Sequence, residues 1–179
     1  LTMGVIVALE GVEIEKTTEG YFIKGSQKYK ACNIVNEGDW SNGAFLDAFN
    51  LAQGSVCVNG LNPDSFQGDK IYKEFYQKLS GGTPELDISQ YPDLGPVLFA
   101  LASLKNGATF IGTNRLKAKE SDRGAAMHSE LLKLGGRLVF GDNTITVPKQ
   151  QLSYNGQALY GHNDHRIVMA LSVILSKIG

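Results

Sequence analysis

The hydrophobic positions of the chain follow a repeating pattern of predicted helices and strands. Three segments each contain an Asp, then an apolar stretch with helical spacing, and then a Gly. They read GDWSNGAFLDAFNLAQGSVCVNG, YPDLGPVLFALASLKNGATFIGT and NDHRIVMALSVILSKIG. In the first two segments, the stretches SVCVNG and ATFIGT alternate between apolar and polar residues, which predicts a strand after each helix.

A second unit alternates with the first and pairs an amphipathic helix with strands. Its copies read MGVIVALEGVEIEKTTEGYFIKG, KIYKEFYQKLSGGTPELDIS and RGAAMHSELLKLGGRLVFGDNTITVPK. The spacing of Val5, Ile6 and Leu9 indicates the helix of the first copy. TTEG and FGDN predict tight turns between strands, whereas the middle copy has no obvious hairpin. The two units together predict an α/β (α+β) protein built from repeated helix-and-sheet units.

The repeat places several charged residues where helices begin. A helix start presents free N–H groups and a partial positive charge, which makes it a natural anion site. Arg123 lies at one more such start, with Ser121 or Asp122 as its cap. Two arginines and a lysine near such starts could together hold a dianion such as phosphate. The residues at the repeated starts are Asp93, Asp164, His165 and Arg166.

Each of these stretches also has a purely structural interpretation. The charged run KAKESDR can be a solvated loop before a helix, and in NDHR the Asn163 or Asp164 side chain can simply cap the last helix. Asp93 can likewise be a plain cap, and Trp40 in GDWSNG can pack at a domain edge. These stretches occupy equivalent helix starts of a repeat, which favours a functional anion site over separate structural roles.

Composition and net charge argue against several classes of function. The 179 residues are 42% hydrophobic and 20% charged, with a formal net charge of -1. Such a charge gives no general attraction to nucleic acid or to an acidic membrane, so any anion site must be local. The apolar run IVMALSVIL is too short to cross a bilayer. Cys32 and Cys57 are too few for a disulfide framework, and Cys57 is expected as a buried thiol in the strand SVCVNG, which suits a reducing cytoplasm.

Several other chemistries lack their motifs. The His and Cys spacing suits no structural zinc site, and the sequence contains no P-loop and no G-x-G-x-x-G after a strand. No G-x-S-x-G nucleophile motif occurs, and the aromatic residues do not interleave with basic ones as they do in single-strand binders.

Five motifs, in the right order, resemble the EPSP synthase family of enolpyruvyl transferases. They are EGDWSNGAF at 37–45, FQGDK at 66–70, YPDLGP at 91–96, RLKAKESDR at 115–123 and GHNDHRIVMAL at 161–171. The combination of KESDR with a downstream NDHR is specific within the enolpyruvyl transferases. The sister family that acts on UDP-N-acetylglucosamine usually carries a reactive loop cysteine, and neither cysteine here is expected in such a loop.

The resemblance implies a fold of two similar lobes, each built from three βαβαββ units, of which this chain holds an incomplete set. It implies transfer of the enolpyruvyl group of phosphoenolpyruvate to the 5-hydroxyl of shikimate 3-phosphate, through a tetrahedral ketal, with release of phosphate. It further implies a cytoplasmic, monomeric enzyme of the shikimate pathway of aromatic amino acid biosynthesis. No metal or organic cofactor is expected, and neither nucleic acid nor membrane is expected as a partner.

The resemblance also implies catalytic roles, residue by residue. Asp93 is expected to hold the shikimate and take the proton from its 5-hydroxyl, and Lys119 to contact both substrates. Glu120 is expected to protonate the methylene carbon of phosphoenolpyruvate. Because a free Glu has a pKa of about 4.3, Glu120 would need burial or a nearby anion to stay protonated near neutral pH.

The remaining residues implied by the resemblance bind anionic groups. Arg123 and Arg166 are expected to clamp phosphoenolpyruvate, with His165 beside them. Arg115 falls where the family has a contact to the shikimate phosphate, sometimes made by Asn.

The chain is expected to be a part of a protein about twice as long. It opens without Met, and its last segment stops where a strand would follow. Residues 1–68 are expected to be the C-terminal part of one lobe and residues 69–179 most of the second, so the isolated chain is not expected to turn over. Two alternatives stay open: transfer to UDP-N-acetylglucosamine, and a non-catalytic anion-binding module.

Overall fold

The computed structural model describes residues 6, 9, 11–33 and 35–179, so the helix predicted around Val5, Ile6 and Leu9 lies largely outside the described residues. The α-helices are α1 (Trp40–Ala52), α2 (Tyr72–Gly81), α3 (Gly95–Leu104), α4 (Arg123–Lys133) and α5 (His165–Ile178). The strands are β1 (Ile14–Thr17), β2 (Gly20–Ile23), β3 (Glu85–Asp87), β4 (Ala108–Ile111), β5 (Val139–Gly141) and β6 (Thr144–Val147). Short 3₁₀ helices cover Gly68–Ile71, Pro92–Leu94 and Thr113–Ala118. No helix in the described part is both long and apolar enough to span a bilayer.

One sheet of four strands carries most of the fold, in the order β3–β4–β6–β5. β3 and β4 are parallel, whereas β6 runs antiparallel to both β4 and β5, with Phe110 opposite Ile145. A parallel pair needs a crossover, which α3 supplies. The elements from Glu85 to Val147 therefore form one complete βαβαββ unit, and the predicted α/β (α+β) fold class is confirmed.

The predicted turns are also present. Residues 18 and 19 of TTEG join β1 to β2, and residues 142 and 143 of FGDN join β5 to β6. Asn143 has a φ of 50°, a conformation that Asn tolerates better than most residues. As predicted, the middle copy of the second unit has the single strand β3 after its helix and no hairpin.

Helix α3 forms the centre of the core. It is buried from Gly95 to Ser103 and packs against α1, α4 and α5 and against β6. Phe99 meets Phe110 of the sheet edge-on, with ring centroids 5.0 Å apart. A helix that is apolar on every side is stable only when neighbours cover every side. Asp93, two residues before α3, is therefore attached to a helix that is packed on every side.

Helix α1 belongs to the same core. Its buried Phe45 and Ala48 lie in one hydrophobic cluster with the residues of α3 and α5. Trp40 is buried there, and its Nε1 donates to the carbonyl of Asn62 at 3.0 Å. Packing is therefore continuous across the lobe boundary that the sequence suggested at residues 68 and 69.

The strand predicted for SVCVNG is wrong. Residues 55–60 form an extended loop, and Cys57 is an exposed thiol rather than a buried one. The Asn50 side chain accepts from the amide of Val56 at 2.6 Å and donates to its carbonyl at 2.8 Å. These bonds satisfy the two backbone groups that a neighbouring strand would otherwise bind, so the alternating pattern alone does not produce a strand.

Aspartates cap three of the helices, but Asp93 is not among them. Asp39 accepts from the amides of Ser41 and Asn42 at the start of α1, and Asp164 accepts from the amide of Arg166 at the start of α5. Asp122, rather than Ser121, caps α4. Asp93 lies inside the 3₁₀ turn before α3, and its side chain makes no capping bond. The interpretation of Asp93 as a plain cap is therefore wrong.

Candidate functional site

Three cationic side chains converge on Asp93. Its Oδ1 accepts from Lys119 Nζ at 2.9 Å and from Arg123 Nη1 at 2.6 Å, and its Oδ2 lies 3.7 Å from Arg166 Nη2. The 3₁₀ turn after β3 carries Asp93, the segment before α4 carries Lys119, and the first turns of α4 and α5 carry the arginines. The helix starts singled out in the sequence therefore meet at one place.

Arg123 is the buried centre of this cluster. Its side chain has no exposed surface, and it binds Asp93, Glu120 and Asp164. Nε donates to Asp164 Oδ2 at 2.9 Å, and Nη2 donates to Glu120 Oε2 at 2.6 Å. Ser121 Oγ also donates to Asp164 Oδ2, at 3.0 Å. A buried guanidinium is stable only with such complete pairing.

Arg166 is buried but only partly satisfied. Its side chain is 10% exposed, and its Nη1 is buried with no hydrogen-bond partner among the described residues. The guanidinium also lies over the Phe45 ring, 6.0 Å from the centroid. A buried N–H without an acceptor is costly, so the arrangement favours an additional acceptor at this point.

Three cations and three carboxylates share the cluster, and the two sets balance each other. Glu120 is the most accessible carboxylate, with half of its side chain exposed, whereas Asp164 is fully buried. An entering anion can therefore displace Glu120 from Arg123 more easily than it can displace Asp164. The six residues are Lys119, Arg123, Arg166, Asp93, Glu120 and Asp164.

The surroundings shift the acidities of the carboxylates in two directions. Burial would raise the pKa of Asp93, but hydrogen bonds from Lys119 and Arg123 outweigh burial and lower the pKa to about 2. Burial would likewise raise the pKa of Asp164, and the bond from Arg123 lowers it overall. For Asp69, which accepts from Ser41 Oγ, burial prevails and the pKa is raised. The environment of Asp69 thus favours its protonated form.

Two residues implied by the resemblance lie away from these contacts. His165 is the first residue of α5 and is exposed, next to the cluster in sequence but outside its ion pairs. Arg115, on the 3₁₀ segment after β4, donates from Nη1 to the carbonyl of Ser89 at 3.0 Å. In the described ranges, no group of three or more His, Cys, Asp or Glu side chains is arranged to hold a metal ion.

Two features of the site were not assigned from the sequence. The sequence predicts Asp164 as a possible helix cap, yet its carboxylate also pairs with Arg123. Asp69 lies in the FQGDK motif, and nothing in its local pattern distinguishes it from a surface acid. No local signal marks Asp164 as a counter-ion, because its partner Arg123 lies 41 residues away in the sequence.

Comparison with known proteins identifies the family. The profile of the EPSP synthase (3-phosphoshikimate 1-carboxyvinyltransferase) family matches residues 6–176. A 3-phosphoshikimate 1-carboxyvinyltransferase of Clostridium acetobutylicum is 38% identical over 91% of this chain and 42% of that protein. The Clostridium kluyveri protein of that name is 38% identical over 88% of this chain and 41% of its own length. The Methanococcus maripaludis protein of that name is 32% identical over 91% of this chain and 43% of its own length. The chain spans less than half the length of these relatives, and it belongs to the EPSP synthase family.

Proposed function

We propose that the whole protein containing this chain transfers the enolpyruvyl group of phosphoenolpyruvate to the 5-hydroxyl of shikimate 3-phosphate and releases phosphate. The observation that carries the proposal is the Nη1 of Arg166, which is buried and has no hydrogen-bond partner in the part of the chain that the structure describes. It belongs to the same cluster as Lys119 and Arg123. Both substrates carry several negative charges, and a guanidinium donor held away from water requires an anionic acceptor. The relatives at 32–38% identity are named for this activity.

Phosphoenolpyruvate is the anion that we assign to the two arginines. Arg166 has a free donor for it, and Lys119 uses one of its three N–H groups on Asp93. Arg123 gains a free Nη2 when the exposed Glu120 turns away. The N-terminus of α5 adds a favourable partial charge, and exposed His165 stands at the same edge.

Glu120 and Asp93 then divide the proton transfers. Glu120 gives its proton to the methylene carbon, the 5-hydroxyl oxygen bonds to the neighbouring carbon, and the hydroxyl proton passes to Asp93. In the second step the methyl group returns a proton to Glu120, the double bond re-forms, and the bond between carbon and the phosphate oxygen breaks. The released phosphate carries away the electron pair of that bond and takes the proton held by Asp93.

Substrate binding changes the ion pairs of Asp93 and Glu120 in the way that these proton transfers need. In the described structure the low pKa of Asp93 makes it a weak base, because Lys119 and Arg123 hold its charge. Anions that draw these two cations away make Asp93 a stronger base. The same anions release Glu120 from Arg123, its partner in the described structure. One binding event therefore acts on both groups.

The rest of the site is assigned to Arg115 and to residues outside this chain. We propose that Arg115 contributes to the phosphate of shikimate 3-phosphate and that a second lobe completes the pocket. The continuous core that includes α1 supports a lobe boundary ahead of Asp39, earlier than the 68/69 boundary suggested by the sequence. Closure of two lobes would exclude water and align the reactants.

Phosphate release by the whole protein tests the proposal. Phosphoenolpyruvate is supplied with either shikimate 3-phosphate or UDP-N-acetylglucosamine, and Glu120→Gln is compared with wild type. We expect release only with shikimate 3-phosphate, and its loss in the variant. Lys119→Ala should also abolish release, whereas Lys117→Ala, an exposed lysine two residues away, should not. Release only with the nucleotide sugar, or with neither acceptor, would contradict the proposal.

Three further proposals concern the whole protein and the isolated chain. The whole protein is proposed to be a cytoplasmic monomer, which light scattering and cell fractionation test. The 179-residue chain alone is proposed to be inactive, because the second lobe supplies part of the pocket. Normal turnover by the isolated chain would contradict this.

A further inference from the structure

A buried carboxylate on α4 lies outside the ion pairs of the proposed site. Glu130 is 2% exposed at its side chain, and burial would raise its pKa, but the bonds that it receives lower the pKa overall. Its Oε2 accepts from the Tyr160 amide at 2.8 Å, and its Oε1 pairs with His162 Nε2 at 2.9 Å. Lys133 Nζ reaches both oxygens, at 2.9 and 2.8 Å.

The segment that Glu130 holds has an unusual backbone. His162 and Asn163 are consecutive residues with φ values of 50° and 53°, in the left-handed region. Each such residue costs free energy, even though His and Asn tolerate this region better than most. The turn is closed by the Asp164 amide, which donates to the carbonyl of Gly161 at 2.9 Å. Contacts from elsewhere must stabilise this conformation, and Glu130 supplies two of them.

Helix α4 holds both ends of this segment. Arg123 and Glu130 are seven residues apart, about two helical turns, so they lie on one face of α4. Arg123 binds Asp164 at the end of the segment, and Glu130 binds Tyr160 and His162 at its beginning. Asp164 in turn caps α5 through the Arg166 amide. The direction of Arg166 toward the cluster therefore depends on a segment fixed at two points.

We infer that Glu130 is a positioning residue for the reaction: it fixes residues 160–163 and thereby sets Asp164 and Arg166 in place for the phosphoenolpyruvate anion. The inference rests on the proposed function for its substrate. A simple surface ion pair with Lys133 does not explain the arrangement, because Lys133 is half-exposed while Glu130 is buried against the segment. The backbone contact to Tyr160 has no role in such a pair.

Kinetics of Glu130→Ala and Glu130→Gln in the whole protein test the effect on the reaction. We expect Glu130→Ala to raise the KM for phosphoenolpyruvate by about 10- to 100-fold, since small misplacements of binding groups have effects of this size. The KM for shikimate 3-phosphate should change less. Glu130→Gln keeps one oxygen acceptor for the Tyr160 amide and should restore part of the affinity. Val147→Ala, a buried truncation in β6, is the control for lost stability.

Hydrogen exchange tests the positioning without reference to activity. Amides of residues 160–166 should exchange faster in Glu130→Ala than in wild type or in Val147→Ala. Unchanged exchange there would overturn the inference, whether or not the protein is active. Faster exchange with an unchanged KM for phosphoenolpyruvate would overturn the link to the reaction. If wild type released no phosphate with shikimate 3-phosphate, the proposed function would fail, and the exchange result would still decide whether Glu130 fixes the segment.

Discussion

Arg123 and Asp164 form an ion pair in which neither side chain has any exposed surface. Arg123 is the first residue of α4, and Asp164 is the cap of α5, so the pair joins two helix starts that are distant in sequence. Asp93 and Glu120 occupy the remaining nitrogens of Arg123. The proposed anion site is therefore built around a buried charge, and its stability and its chemistry depend on the same contacts.

Removing the arginine from this pair should destabilise the protein strongly. Arg123→Met leaves Asp164 buried without its cation, and we expect a loss of about 3–5 kcal/mol in the free energy of unfolding. Urea denaturation of the whole protein measures this loss. Lys117→Met, an exposed substitution close by, should change the unfolding free energy little. Similar stabilities of the two variants would show that the buried pair is not important for stability.

The acid stability of the protein should depend on Asp93. Its folded-state pKa of about 2 lies below the ordinary value of about 3.9, so its contribution to stability is present above about pH 4. That contribution is lost as the pH falls from about 4 toward 2. Unfolding free energy measured against pH should fall more steeply there for wild type than for Asp93→Asn. Parallel curves would contradict the assigned pairing with Lys119 and Arg123.

Asp69 should have the opposite effect. Burial raises its pKa in the folded state, so its contribution is favourable below the unfolded-state pKa and is lost as the pH rises through the folded-state pKa. Asp69→Asn keeps an oxygen to accept from Ser41 and removes the charge. We expect this variant to be more stable than wild type at pH 7 and equal to it at strongly acidic pH.

Urea denaturation at both pH values measures the difference for Asp69. Asp64→Asn, an exposed change in the nearby loop, serves as the control and should alter stability little. A less stable Asp69→Asn variant at pH 7 would show that the ionised form of Asp69 is favourable in the folded protein.

Gly112 should be essential for the turn that leads toward Lys119. It lies after β4 with a φ of +76°, and an added Cβ would lie 2.5 Å from the Ser89 Cβ and 2.7 Å from its amide nitrogen. Gly112→Ala should lower the unfolding free energy by more than about 1 kcal/mol. Gly60→Ala has a similar φ of +85° and open space, so it isolates the cost of the backbone conformation. Equal losses for both variants in thermal denaturation would exclude a role for the close contact with Ser89.

Much of the architecture was predictable because it depends on local pattern. Three kinds of feature depend only on neighbouring residues: side-chain periodicity, helix-end hydrogen bonds and turn conformation. They correspond to the apolar stretch of α3, the caps Asp39 and Asp164, and the turns TTEG and FGDN. The family resemblance rested on motifs at the same helix starts. In the structure, packing of α3, α4 and α5 against one another brings the starts at Asp93, Arg123 and Arg166 together.

The sequence by itself determined the fold class, the repeat and the residue types at the site. The tertiary structure decided which charges are paired. Asp93, Arg123 and Asp164 are distant in sequence, and no local pattern shows that one buried guanidinium binds two aspartates and Glu120. The exposure of Cys57 was also not predictable from local pattern. An alternating stretch becomes a strand only when another chain segment offers it backbone partners. Long-range packing supplies the backbone partners of a strand and sets the burial that governs each pKa. For this reason, neither the strand partners nor the pKa shifts could be predicted from local pattern.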